Sequence, residues 1–306
     1  MADPLVSIVV PAFITSPHQM RLLDETLATV DSQTCPDFEV IIVDDGSPLD
    51  PSADAARHRQ IRVIRQANGG SAVARNTGIA ASRGRFFLFL DADDHLMPGS
   101  LETGLRALET CPDAGFAVGP REEMTYEGAP VPWPVPPPPD QTQIYEPLLA
   151  FEWYIIPPSS VLFRREVVQA IGGFRNPWGA DDLDFYLRAA WSFRACCYLS
   201  PPVTRYRRYS TSSSRDGERM LHSIRTVYDR QRPLVRGNPG LERAFETGLT
   251  TLTRIFEDCV VENLVDRIDA WQWRRAARSA LVLARERPER LLEVATRLAR
   301  RRPVPS

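Results

Sequence analysis

The chain has 306 residues, 43% hydrophobic and 25% charged, long enough to bury a real core and too apolar for a disordered segment. Its formal net charge of −2 gives no global pull toward nucleic acid, and no nucleic-acid partner is expected. All 37 basic residues are arginine, which excludes Schiff-base lysine chemistry and a P-loop lysine. The cysteines Cys35, Cys111, Cys196, Cys197 and Cys259 are odd in number and show no C-x-x-C spacing, so they are expected to be free thiols of a reducing cytosol. The start MADPLVSIVVP lacks a basic flank and a long apolar run, and no stretch reaches the ~18 apolar residues of a membrane span. The expected location is the cytoplasm, free or peripheral at the inner face of the membrane.

The first third alternates strand and helix signals. Ser7–Val10, Phe38–Val43, Ile61–Arg65 and Arg85–Leu90 are short apolar runs. Between them lie helical patterns over Met20–Gln33, with Ser16 as cap, over Ser52–Arg59 and over Ala72–Ala81. Continuous apolar strands separated by helices predict a mostly parallel, Rossmann-like sheet covered on both faces. A helix to about Glu109 and a strand at Gly115–Val118 follow. Ala129–Asp140 is proline-rich and reads as a stiff surface loop. A strand at Ser160–Phe163 and helices at Arg165–Ile171 and Asp181–Ser192 complete an α/β domain over residues 1–215. Only helical patterns occupy 216–306, with Leu249, Leu252, Phe256 and Val260 on one apolar face and Leu291, Ala295 and Leu298 on another.

Ligands of such sheets sit beyond the carboxyl ends of the strands, and two of those ends are acidic. FFLFLDADDHLMP delivers Asp91, Asp93 and Asp94. In an extended chain Asp91 and Asp93 would share one face, and clustered carboxylates repel unless a cation joins them. Hard oxygen ligands suit Mg²⁺ or Mn²⁺ bridged to phosphates; a solvated acidic turn is the structural alternative. VIIVDDGS ends in Asp44 and Asp45, which also reads as an ordinary Asp-Gly turn. In NGGSAVARNTG, glycines open a helix and Arg75 could meet a phosphate; a loop-to-helix junction with a surface arginine fits as well.

PAF, VDDGS, NGG…ARNTGI and LDADD, in this order and at these intervals, resemble the family 2 glycosyltransferases with a GT-A fold, over residues 5 to 215. The resemblance implies an inverting transfer of a sugar from a nucleoside-diphosphate donor, UDP-linked by default, to a saccharide or lipid-linked acceptor. Processive relatives carry membrane spans and a Q-x-x-R-W motif, which this sequence lacks, so the transfer is expected to be non-processive. It implies that Pro11, Ala12 and Asp44 line the nucleoside pocket with help from Asp45. Asp91, Ala92 and Asp93 would be the D-x-D, with Asp91 and Asp93 holding Mn²⁺ or Mg²⁺, and Arg75 would lie near the diphosphate. In IGGFRNPWGADDLDFYLR the family places Glu-Asp where this chain has Asp181-Asp182, which would make Asp182 the general base and Asp181 an acceptor contact; charge compensation at a helix start is the structural alternative. In TRYRRYSTSSS the family often has a histidine where Tyr209 stands, and Arg207 or Arg208 would touch the diphosphate; a strand followed by a polar loop fits as well, and the serines could instead form a flap over the donor.

Trp153 and Trp178 are the expected acceptor-stacking rings, with plain packing as the alternative. His95 is expected in a turn rather than on a metal. The arginine-rich tail Arg274–Arg302 suits an anionic membrane surface, a solvated face paired with Glu286, Glu289 and Glu293, or a homodimer contact. Two rival functions exist. A nucleotidyltransferase would carry G-x-G-x-R-L where this chain reads PAFITSPHQ, and a catalytically silent sugar- or partner-binding module would not need the full set of acids.

Overall fold

The computed structural model describes residues 3–132, 137–138, 140–175, 178–209 and 215–301. Part of the expected proline-rich loop, the serines 210–214 of the expected flap and the last arginine of the tail lie outside the described residues. The chain forms two compact units, Met1–Tyr209 and Ser210–Ser306.

In the first unit, β1 (Val6–Ala12) and β2 (Phe38–Asp44) pair in parallel, with Val6 opposite Phe38 and Ala12 opposite Asp44. Both are buried almost throughout, as central strands covered on two faces must be. β3 (Ile61–Arg65) pairs with β2 as an edge strand whose arginines remain exposed. β4 (Phe86–Phe89) lies on the other side of β1, with Val9 opposite Phe89. β6 (Ala114–Val118), β9 (Val161–Arg164) and β10 (Arg194–Cys197) complete the order β10-β6-β9-β4-β1-β2-β3. β9 runs antiparallel to both β4 and β6, so the sheet is mixed but mostly parallel.

Four further strands form a second small sheet, β5-β11-β7-β8, from β5 (His95–Leu96), β7 (Arg121–Met124), β8 (Pro130–Val131) and β11 (Thr204–Arg207). Of these only β11 falls in a segment read as a strand alternative; all four are two to four residues long, too short to show a period. The helices α1 (Pro17–Asp31), capped by the Ser16 hydroxyl, α2 (Ser52–Ala55), α3 (Ser71–Ala81), α4 (Ser100–Thr110), α5 (Tyr145–Leu149), α6 (Arg165–Ile171) and α7 (Asp181–Ser192) flank the strands. α3 approaches β1 through Gly78, where an added Cβ would sit 2.2 Å from Val9 Cγ1; only glycine allows that contact.

The expectation of five free thiols is corrected. Cys111, at the end of α4, and Cys196, in β10, form a disulfide with Cα atoms 6.1 Å apart. The β6–β10 pairing brings together residues 85 apart in sequence, a proximity that spacing rules do not reveal. Cys35, Cys197 and Cys259 are free.

The second unit is helical: α8 (Gly217–Val235), α9 (Pro239–Asp269), α10 (Trp273–Glu286) and α11 (Arg290–Arg301). Leu221, Val260, Val261, Leu264, Val265, Ala276, Leu283 and Val294 form its core. Leu252 is buried as the periodicity predicts, whereas Ala295 is exposed. Among the described residues no helix is long and apolar enough to cross a membrane.

Candidate active site

The sheet register places the acidic strand ends side by side. Asp44 closes β2 opposite Ala12. Asp91 follows β4 two residues past the Val9–Phe89 pair and so comes level with Pro11. β2 and β4 flank β1, so at one strand spacing each the two acidic ends lie about 10 Å apart across the rim.

Asp91–Asp94 is not extended. The Asp94 amide donates to the Asp91 carbonyl at 3.2 Å, which makes a turn. The expectation that Asp91 and Asp93 share a face by strand alternation is therefore corrected: a turn gathers the acids, because β4 ends at Phe89. Ala92 is half-buried between them against the main core.

Arg75 ties this turn to the acid pair at the head of α7. Its Nη2 donates to Asp91 Oδ1 at 2.6 Å and its Nη1 to Asp181 Oδ2 at 2.5 Å. Its Cζ lies 5.2 Å from the Phe174 ring centroid. Burial opposes the guanidinium charge, but Asp91 and then Asp181 outweigh it and raise the pKa. The next residue, Asn76, donates from Nδ2 to the Phe174 carbonyl and accepts at Oδ1 from the Phe174 amide. The ARN of the third motif is thus a brace between α3, the D-x-D turn and the segment leading to α7.

Aromatic packing fixes α7 against β4. Phe185 stacks on Phe174 at 4.1 Å and meets Phe163 and Phe89 edge-on at 5.1 and 5.8 Å, each pair contributing about 0.5–1.5 kcal/mol. Arg188 anchors the same helix by donating to Asp184 and to the carbonyls of Ile171 and Gly173.

Asp182 is partly buried, and its Oδ1 accepts from the Leu183 amide at 2.8 Å. Burial, and then the neighbouring Asp181, push its pKa up to about 6. That value suits a group that must take a proton near neutral pH. One turn further on, the Tyr186 hydroxyl is buried with no partner among the described residues. Burial and then the Asp182 charge raise its pKa. Tyr186 carried no sequence signal beyond its i+4 spacing from Asp182.

Tyr209, which stands where a histidine was expected, donates to Asp93 Oδ2 at 2.6 Å. Burial and then Asp91 raise the Asp93 pKa, against the Tyr209 hydrogen bond. Asp94 is fully buried. Its Oδ1 accepts from the Arg207 amide, and its Oδ2 has no partner among the described residues. Burial, then Asp93 and Asp91, hold its carboxyl well above the usual range.

Arg207 is 2% exposed and spends its guanidinium on the framework. It donates to the carbonyls of Asp93 and Tyr126, to Glu25 and to His95. His95 lies in β5 and not in a turn. Arg208 pairs with Glu123.

Asp44 is fully buried, accepting from the Ser47 amide at 2.8 Å and from Arg65 at 2.7 Å. Asp45 accepts from Gln66 Nε2 and from the amides of Gly69 and Gly70, which holds the turn that starts α3; Gly70 there has φ 88°. Beside them Phe13 is 46% exposed.

The two tryptophans differ. Trp178 is 53% exposed just before α7, whereas Trp153 is 5% exposed. Trp153 lines a cavity of about 300 Å³ with Pro137, Tyr154 and Tyr198, and none of the site carboxylates borders it. Among the described residues, no group of three or more His, Cys, Asp or Glu is placed to hold a metal ion alone. Asp91 and Asp93 offer two hard oxygen donors, and the Asp91 side chain stays 30% exposed. They therefore fit a divalent ion that completes its shell with ligand oxygens and water.

Residues 7–172, more than half of the chain, match the family model described as Glycosyl transferase family 2. The chain belongs to this family. The Bacillus subtilis relative EpsJ, an uncharacterized glycosyltransferase, is 46% identical over 98 residues, 30% of this chain and 27% of EpsJ. The match thus spans about a quarter of that relative's length. Among solved structures, Staphylococcus aureus TarS (residues 1–349), in complex with UDP-GlcNAc, superposes with a TM-score of 0.64 at 16% identity, over 95% of this chain and 83% of that one. The mannosyltransferase PcManGT of Pyrobaculum calidifontis, in complex with GDP-Man and Mn²⁺, superposes with a TM-score of 0.59 at 20% identity, over 98% and 81%. These likenesses establish the GT-A fold of this family 2 chain.

Proposed function

We propose that the chain is a metal-dependent, non-processive glycosyltransferase that moves a sugar, with inversion, from a nucleoside-diphosphate donor to a hydroxyl of a saccharide or lipid-linked acceptor. The observation that carries the reading is the Arg75 brace: one guanidinium joins Asp91 of the D-x-D turn to Asp181, which precedes a carboxyl with a pKa near neutrality.

Asp91 and Asp93 would hold Mn²⁺ or Mg²⁺, and such an ion, when bound, neutralises a leaving diphosphate. Tyr209 keeps Asp93 oriented and Arg75 keeps Asp91 oriented. Arg75 is thus assigned a positioning role in place of direct diphosphate binding, and Arg207 a framework role. Asp182 takes the proton from the acceptor hydroxyl as its oxygen attacks the anomeric carbon and the bond to the diphosphate breaks. Asp181, already committed to Arg75 and Ser71, holds Asp182 in place.

Pro11, Ala12 and Phe13 form the nucleoside wall. Asp44 can reach a base only if Arg65, whose side chain is 52% exposed, releases it. Of the two structural relatives, TarS is in complex with UDP-GlcNAc and PcManGT with GDP-Man and Mn²⁺. UDP is the default, with GDP as the second donor to test. Trp178 is the better acceptor-stacking candidate, since Trp153 is buried.

The test is turnover of UDP- and GDP-sugars with Mn²⁺ by the wild type and by Asp182→Asn. The wild type should release nucleoside diphosphate. The variant should bind donor with unchanged affinity and transfer nothing. Full transfer by the variant would remove Asp182 from its role. No turnover of any donor by folded wild type, despite binding, would favour a silent module.

A further inference from the structure

α10 buries one side and exposes a chemically distinct one. Ala276, Ser279 and Leu283, at three- and four-residue spacing, are 5%, 0% and 0% exposed and face the core of the helical unit. On the outer side, Trp273, Ala277 and Leu281 follow at four-residue steps. Trp273 is 57% and Leu281 52% exposed, and Ala277 is exposed between them. At about 100° per residue, Arg274, Arg278 and Arg285 form a row alongside this apolar stripe. All three are exposed.

Trp271, in the turn before the helix, is 77% exposed, and its ring meets that of Trp273 edge-on at 5.6 Å. Its φ of 57° is a conformation that glycine or asparagine adopts more readily.

The arginines of this row differ from the rest of the tail. Arg290 and Arg297 pair with Glu293, Arg287 with Glu257 and Glu289, and Glu286 with Arg225. Arg274 and Arg278 have no hydrogen bond or ion pair among the described residues.

Two exposed indoles, an exposed leucine and a parallel row of guanidinium groups match the chemistry of a bilayer interface. Indole rings settle at headgroup level, the apolar stripe enters the acyl boundary, and arginines pair with lipid phosphates. A second copy docked face to face would set one arginine row against the other, because a two-fold contact brings the same patch to itself. We propose that the outer face of α10, with Trp271, binds an anionic lipid surface. This inference does not depend on the proposed transfer reaction.

The experiment is flotation of the intact chain with vesicles of phosphatidylcholine alone and of phosphatidylcholine mixed with phosphatidylglycerol, at low and raised salt. The chain should float with the anionic vesicles, less so in raised salt, and remain behind with the neutral ones. Each arginine near the surface contributes about fivefold to partition. The triple variant Arg274→Gln/Arg278→Gln/Arg285→Gln should therefore lose about a hundredfold. Trp271→Ala/Trp273→Ala should also lose binding, with an unchanged melting temperature because both rings are exposed. Brominated phosphatidylglycerol should quench wild-type tryptophan fluorescence, a readout independent of any variant's folding.

Absence of flotation and quenching with anionic vesicles would overturn the proposal, as would equal binding to neutral vesicles or wild-type binding by the variants. Sedimentation showing a lipid-indifferent dimer that the tryptophan variant disperses would overturn it in favour of a second copy.

Discussion

Replacing Asp182 by Asn should stabilise the protein while it abolishes transfer. The Asp182 pKa rises from 3.8 to about 6 in the folded chain. About two units at 1.36 kcal/mol each amount to at most about 3 kcal/mol of opposition to ionising this carboxyl in place. Because the folded pKa is the higher one, the favourable contribution of the protonated group is complete below the unfolded pKa. It is lost as pH rises through about 6. Asn cannot ionise, and its Oδ1 can accept from the Leu183 amide as the carboxylate does. The variant should therefore exceed the wild type by up to about 3 kcal/mol at about pH 8, and the gap should close by about pH 4. Urea unfolding of both proteins across that range measures it, and wild-type transfer should rise through about pH 6 in parallel. A variant no more stable than the wild type at the alkaline end, or a gain that ignores pH, would mean that ionising Asp182 does not oppose folding.

Arg75→Ala leaves Asp91 and the buried Asp181 without their shared cation and should cost about 3–5 kcal/mol in urea unfolding. Arg75→Lys should not restore it, since an ammonium cannot offer two separated nitrogens. Tyr209→Phe removes the donor to Asp93, whose pKa burial already raises; the Mn²⁺ concentration needed for half-maximal turnover should rise about tenfold, with donor KM at saturating metal little changed. Gly78→Ala forces a Cβ to within 2.2 Å of Val9 Cγ1. Overpacking of about 1–3 kcal/mol should outweigh the helix-propensity gain of about 1 kcal/mol, so the melting temperature should fall.

Much of this fold could be read from the sequence because its central strands are continuous apolar runs. β1 and β2 are buried on both faces, and β2 ends in the DDGS turn, whereas β1 runs through Pro11 to Ala12. Helices with strong punctuation also came through: α1 begins after Ser16, and α6 ends at Gly172 in the left-handed region. The antiparallel placement of β9 and the second sheet were not legible, because strands of two to four residues carry no usable period and their pairing is long-range.

At the site, the residue types were legible but their partners were not. Arg75 and Asp181 are 106 positions apart, and Tyr209 and Asp93 are 116 apart. A motif can place each residue near a ligand, yet only packing reveals that Arg75 and Arg207 are already engaged by the chain's own groups. Asp45 behaves alike: its acidity suggested a ligand contact, and the fold spends it on three donors of the turn at 66–70.

In the proposed reaction Asp91 and Asp93 present a divalent ion to a nucleoside diphosphate. Isothermal titration of UDP and of GDP, each with and without Mn²⁺, into the wild type and Asp93→Ala tests it most directly. At least one nucleotide should bind the wild type tightly only with Mn²⁺, and the variant should show no metal-dependent gain. Equal binding with and without the ion, or full metal dependence in the variant, would contradict the account.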